Sequence, residues 1–101
     1  MILHRSDALQ AIRGSLESIN SERSAEDQIP VSDETALLGR DAALDSLAFV
    51  TFVADLEERL RSSTGRDFVL VGEAVAHAGK HPFRSVAALA DHIVEMAAQK
   101  A

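Results

Sequence analysis

A chain of 101 residues with a formal net charge of −6, four Phe and no Trp, Tyr or Cys is large enough for one modest core. It is too small for a deep enclosed active site plus its own scaffold. The missing cysteine excludes disulfides, thiolate catalysis and cysteine metal ligation, and the acidic balance disfavours nucleic acid, whose binding needs a basic stripe.

With so few aromatics, packing rests on Ala, Leu, Val and Ile, which suits an all-α fold, a small helical bundle in a single domain over 1–101. No apolar run is long enough to span a bilayer, and Met1–Asp7 lacks the apolar core of a signal peptide. A cytoplasmic monomer with no membrane insertion is the expectation. The charge is unevenly placed. From Glu22 to Glu58 ten acids face only Arg23 and Arg40, a field that steers basic partner surfaces toward this part of the chain.

Taken in order, Leu9, Ile12, Leu16 and Ile19 recur at helical spacing and predict a first helix over about Ser6–Ser21, with Ser6 or Asp7 as its cap. Gly14 weakens it slightly. From Glu22 to Asp45 the periodicity stops and Ser, Asp, Glu, Pro30 and Gly39 dominate. So long a connection needs anchoring; Ile29, Val31, Leu37, Leu38 and Leu44 are the candidates, and Asp33–Leu38 is expected to form a short helical turn.

A second helix is predicted over about Ser46–Arg61, with Ser46 as N-cap. Phe49, Val53, Leu56 and Leu60 form its buried stripe, while Thr51, Asp55, Glu58 and Ser62 fall on the wet face. Leu47 matches neither set and is expected to be exposed. Ser62–Asp67 reads as a stop and turn. Phe68–Val71 is expected to lie extended on the core, since no second strand is available to pair with it. A short third helix is predicted over Gly72–Gly79. His77 and His81 are four apart, but a metal site needs more ligands and Pro82 breaks the helix, so they read as surface residues. The last helix begins after Ser85, its N-cap, with Val86, Leu89, Ala90, Ile93 and Ala97 facing inward.

The run Leu38-Gly39-Arg40-Asp41-Ala42-Ala43-Leu44-Asp45-Ser46-Leu47, followed by Val50, Val53 and Leu56-Glu57-Glu58, resembles the acyl carrier protein family. The resemblance extends from about Leu37 to Met96, and Pro82–Val86 with Leu89–Asp91 is a weaker second match. It implies a four-helix bundle of acyl-carrier-protein type, with a long first loop and a short third helix. It also implies that Ser46 receives 4'-phosphopantetheine from coenzyme A by way of a phosphopantetheinyl transferase of the holo-ACP synthase type. The chain is then a carrier and a substrate, not an enzyme. Its further partners are an acyl-loading ligase, a condensing enzyme or an acyltransferase.

A helix N-terminus is a compatible field for a phosphodiester, because its free N–H groups and macrodipole favour an anion. Asp45 is the candidate contact for the transferase, and Leu47, Val50, Glu57 and Glu58 for the partner enzymes. Ala48 and Thr51 stand where carriers of primary fatty-acid synthesis are often acidic, so a specialised lipid or polyketide-type pathway is expected. Phe49 and Phe52 are bulky at places where space for a long acyl chain is needed.

Two alternatives stay open. An aminoacyl or peptidyl carrier shares the serine and the arm. An unmodified helical adaptor would use Leu47 as a binding patch, and there Ser46→Ala would cost only roughly 1 kcal/mol of capping. Substitution of Leu47 by Asp is expected to slow recognition by a transferase while leaving the thermal midpoint near that of the parent; a large drop in the midpoint would mean that Leu47 is buried.

Overall fold

Apolar spacing and burial agree along three segments. The computed structural model describes residues 3–37, 42–68, 70 and 82–99. Among them are three α-helices, α1 (Arg5–Asn20), α2 (Ser46–Thr64) and α3 (Val86–Gln99), two 3-10 turns at Ala25–Asp27 and Pro82–Arg84, and no strand. The expected helix over Gly72–Gly79, the His77/His81 pair, Leu38–Asp41, Val69 and Val71 lie outside the described residues.

Leu9, Ile12 and Leu16 are buried on α1, Val53, Leu56 and Leu60 on α2, and Val86, Leu89, Ala90, Ile93 and Ala97 on α3. Phe52 is fully buried although it lies beside the expected stripe of α2, so that helix buries a wider face than one row. Phe68 and Leu70 are buried against the same core, as expected, but Leu70 is helical and not extended.

The helix α1 is the spine, packing against both α2 and α3. Its last turn shares a cleft with Thr51 near the start of α2, and Leu3 and Asp7 share another with Ser62 and Ser63 near its end. The two helices are therefore antiparallel. Arg66, just past α2, donates from Nη1 to the carbonyl of Ala97 near the end of α3 at 3.1 Å, so α2 and α3 run the same way. That guanidinium also satisfies a terminal carbonyl at the negative end of α3.

The helix ends differ in detail from the sequence reading. α1 starts one residue early: His4 is its N-cap, and Asp7 acts from the third helical position, its Oδ2 accepting the His4 N–H at 3.1 Å. Gly14 lies beneath Arg59, whose Nη1 would be 2.7 Å from a Cβ added there. The missing side chain lets the guanidinium cross α1 while its Nε holds Asp55 at 2.6 Å. α2 runs on to Thr64 and stops at Gly65, whose φ of 73° is one a glycine adopts without strain.

The connection between α1 and α2 is held by polar groups more than by its apolar residues. Ile29, Leu37 and Leu44 are buried, but Val31 is exposed. Pro30 and Val31 sit where the chain leaves the Ile29 anchor, so only one of the neighbouring apolar side chains turns inward. In the described part of the helical turn expected over 33–38 there is one turn, over residues 32–35, closed by the Thr35 N–H on Ser32 O at 3.2 Å, and a 3-10 turn of this connection lies at Ala25–Asp27.

Asn20 makes the main anchor. Its Nδ2 donates to Ile29 O at 3.0 Å and its Oδ1 accepts the Ile29 N–H at 2.7 Å, so one buried amide satisfies both backbone groups of a buried residue. Further along, the carbonyls of Thr35 and Asp33 accept the N–H groups of Val86 (3.0 Å) and Ala87 (2.9 Å). Ser85 Oγ accepts that of Ala88 at 3.0 Å, the N-cap role expected of it. The first three N–H groups of α3 are thus all satisfied.

Replacing Asn20 by Ala strands the buried N–H and C=O of Ile29, and a loss of about 2 to 4 kcal/mol is expected. A urea titration should show it as a lower midpoint at unchanged slope.

Candidate functional site

The start of α2 is built by Asp45. With φ −78° and ψ 178° it is extended, and its Oδ1 accepts the N–H of Ala48 at 2.8 Å while its carbonyl accepts that of Phe49 at 2.8 Å. Asp45 is therefore the N-cap and Ser46 the first helical residue, which corrects the capping role expected of Ser46. The reason is local: the carboxylate one residue earlier sits at the reach a cap needs.

Ser46 is left exposed, and its hydroxyl makes no hydrogen bond to the described residues. The same terminus that frees it offers an anion the backbone N–H groups of the first turn. The Asp45 carboxylate already compensates part of that field, so a phosphate there meets a weaker attraction than at an uncapped end.

Leu47 is 78% exposed and Val50 64% exposed. Three residues apart, they are neighbours on the helix surface. Ala54 and Glu58 continue the same exposed strip at helical spacing. This is an apolar ridge beside Ser46 with an acid about 18 Å along the axis at 1.5 Å per residue.

Glu57 belongs elsewhere. It is partly buried and its Oε2 accepts the Leu70 N–H at 3.0 Å, which fixes the chain where it returns to the core. Its carboxylate thus has a structural partner, whereas Glu58 stays exposed. Other acids of the 22–58 segment are also engaged: Asp33 with Arg13 at 3.0 Å and Asp55 with Arg59 at 2.6 Å. The negative field is thus carried by fewer groups than the composition suggests, among them Glu34 and Glu58.

Phe49, one turn below Ser46, stands edge-on to Phe83, with centroids 4.9 Å apart and planes at 77°. Sequence reading put Phe49 on the buried stripe of α2 but could not pair it with Phe83, because Phe83 precedes α3 and no periodicity links it to α2. Among the described residues no three His, Asp or Glu side chains gather as a metal site, and no helix is long and apolar enough to cross a membrane.

Comparisons with models of protein families, with curated proteins and with solved structures find no match to this chain.

Asp45→Ala should lower stability by about 1 kcal/mol through loss of the cap, and Ser46→Ala by no more than a few tenths. Denaturant titration of the two variants side by side checks the assignment; the reverse order would return the cap to Ser46.

Proposed function

We propose that this protein is a carrier of the acyl carrier protein type, with 4'-phosphopantetheine attached through a phosphodiester to Ser46. The observation that carries the reading is a serine hydroxyl at the head of an amphipathic helix, exposed and without a structural bond among the described residues, beside the bare side chains of Leu47 and Val50. The four-helix architecture, with its short helix over Gly72–Gly79, belongs to the same proposal.

When bound, the group supplies a thiol at the end of a flexible arm, which holds an acyl group as a thioester. In the attachment step the Ser46 oxygen bonds to the phosphorus that bears pantetheine in coenzyme A. The pyrophosphate bond breaks and adenosine 3',5'-bisphosphate leaves. The serine proton passes to the transferase, which also supplies the metal and the positioning.

This chain contributes an accessible hydroxyl and a surface to be gripped. Asp45 holds the helix start rigid, so the serine is presented at a fixed place, and Leu47 and Val50 give a small apolar contact. Glu58 and Glu34 favour fast encounter with basic partner surfaces, while the shallow ridge keeps residence short. A shuttle that must leave one enzyme for the next needs both. The cargo pathway is a specialised lipid or polyketide-type one, with an acyl-loading ligase, condensing enzyme or acyltransferase as later partners.

The same exposed Leu47–Val50 ridge also fits an unmodified adaptor, which needs no arm. Incubation with coenzyme A, magnesium and a broad-specificity phosphopantetheinyl transferase, followed by intact mass measurement, separates the two. One added phosphopantetheine, absent from Ser46→Ala, is the expected result; no gain with several transferases favours the adaptor.

A further inference from the structure

Along α2, Ser46, Val50, Ala54, Glu58 and Ser62 follow one another at every fourth position, and each of them is exposed. Neighbours at this spacing sit one above the other on a helix, so the row is a continuous, slowly winding track. It begins at the site and ends in a cleft. Glu58 and Ser62 both line an open cleft of about 620 Å³ between the N-terminal half of α1 and the C-terminal half of α2. Leu3 and Ala11 give that cleft apolar walls, and its exposed lining is more apolar than polar. Leu3 is buried and also borders a small void against Phe68 and Ala97, so apolar surface continues beneath it. Mostly apolar walls with a few polar groups are what a small organic group needs from a pocket.

The length of the track matches the length of the arm. Glu58 is about 18 Å from Ser46 along the helix axis, at 1.5 Å per residue. From the serine Cα to its sulfur, a phosphopantetheine arm is a chain of about sixteen bonds, and at roughly 3.4 Å for every three bonds of extended chain it spans about 18 Å. The thioester of a loaded arm laid along the row therefore comes to the near rim of the cleft. Between Glu58 and Ser63 the cleft continues along α2 for about 8 Å. An eight-carbon acyl group covers about 9 Å, whereas an acetyl group ends at the rim.

We infer that the cleft between α1 and α2 receives the acyl end of a group carried on Ser46, and that the cargo is an alkyl acyl group of medium length, about eight carbons. The inference rests on the carrier role proposed above. Val50 and Ala54 offer apolar surface to the methyl and methylene groups of the arm, and Glu58 with Gln10 offers polar partners to the amide next to the thiol. Beyond them Leu3 and Ala11 take alkyl surface out of water. Leu47 stands in the next row and stays bare for a partner enzyme.

The test loads the full chain from acetyl- and octanoyl-coenzyme A with a broad-specificity phosphopantetheinyl transferase and magnesium, and intact mass confirms each product. Thermal midpoints are then compared, together with the methyl resonances of Leu3 and Ala11 at the cleft and of Leu89 and Ile93 in the interior. The octanoyl form should melt at least about 4 °C above the acetyl form, with the Leu3 and Ala11 signals moved and those of Leu89 and Ile93 in place. Equal midpoints with no signal moved, or shifts confined to Leu89 and Ile93, overturn the inference and leave the carrier role standing. No mass gain from either coenzyme A thioester or from coenzyme A itself overturns the carrier role, and the inference with it.

Ala11→Phe fills the cleft from α1, and Ser62→Phe, at an exposed position, fills it from α2. In each variant the midpoint difference between the octanoyl and acetyl forms should fall to less than half that of the parent. The two forms compared share the substitution, so its own cost to stability cancels. An undiminished difference in both variants overturns the place assigned to the acyl group.

Discussion

Among the described residues of the connection, 21–37 and 42–45, the backbone polar groups have no helix or strand of their own to pair in beyond one 3-10 turn, and this constraint shapes the rest of the molecule. Asn20 meets it at one end by pairing with both backbone groups of Ile29. At the other end the pairing is reversed: the connection supplies carbonyls that the first turn of α3 lacks. Each side relieves an unsatisfied set on the other. The stretch that reads as the least ordered in the chain is thus what sets where α3 begins, and the Leu37 N–H on Phe83 O at 3.2 Å extends the same clasp.

That arrangement prepares the head of α2. With the connection anchored and Leu44 buried, the chain reaches Asp45 in an extended conformation, and Asp45 turns it into a helix. The division of labour between adjacent residues matters here. One carboxylate does the structural work, so the neighbouring hydroxyl is spared. A serine that was itself the cap would have to give up its hydrogen bond before it could be modified.

What the sequence made legible follows from what periodicity measures. The stripes of all three helices, the Ser85 cap and the exposure of Leu47 are local properties of a helix, and each could be read from spacing. Asn20 could not, since nothing near it in the chain announces a partner nine residues away. The bond of Glu57 to the Leu70 N–H was illegible for the same reason: its carboxylate looks like surface charge until Leu70 is folded back beside it. The pairing of Phe49 with Phe83 joins positions that no local rule connects. Val31 was taken for an anchor because its neighbours are apolar, but a valine after proline in a polar loop is not bound to any period. At the site, the serine and its exposed leucine were legible and the identity of the cap was off by one residue, which is the usual uncertainty where two capping residues adjoin.

The clasp between Thr35 and Val86 joins positions about fifty residues apart, and the entropy of closing a flexible loop rises by only about 0.6 kcal/mol for each doubling of its length. Two doublings beyond a short loop therefore cost no more than about one hydrogen bond returns. Outside α2 and the buried Leu37, Leu44, Phe68 and Leu70, the intervening span is then under little thermodynamic pressure to keep its length. Insertions or deletions there would be tolerated far more readily than a change at Asp33 or Thr35 that moved a single carbonyl by an ångström. In those looser parts, the fold depends on where a few backbone atoms sit and not on how many residues separate them along the chain.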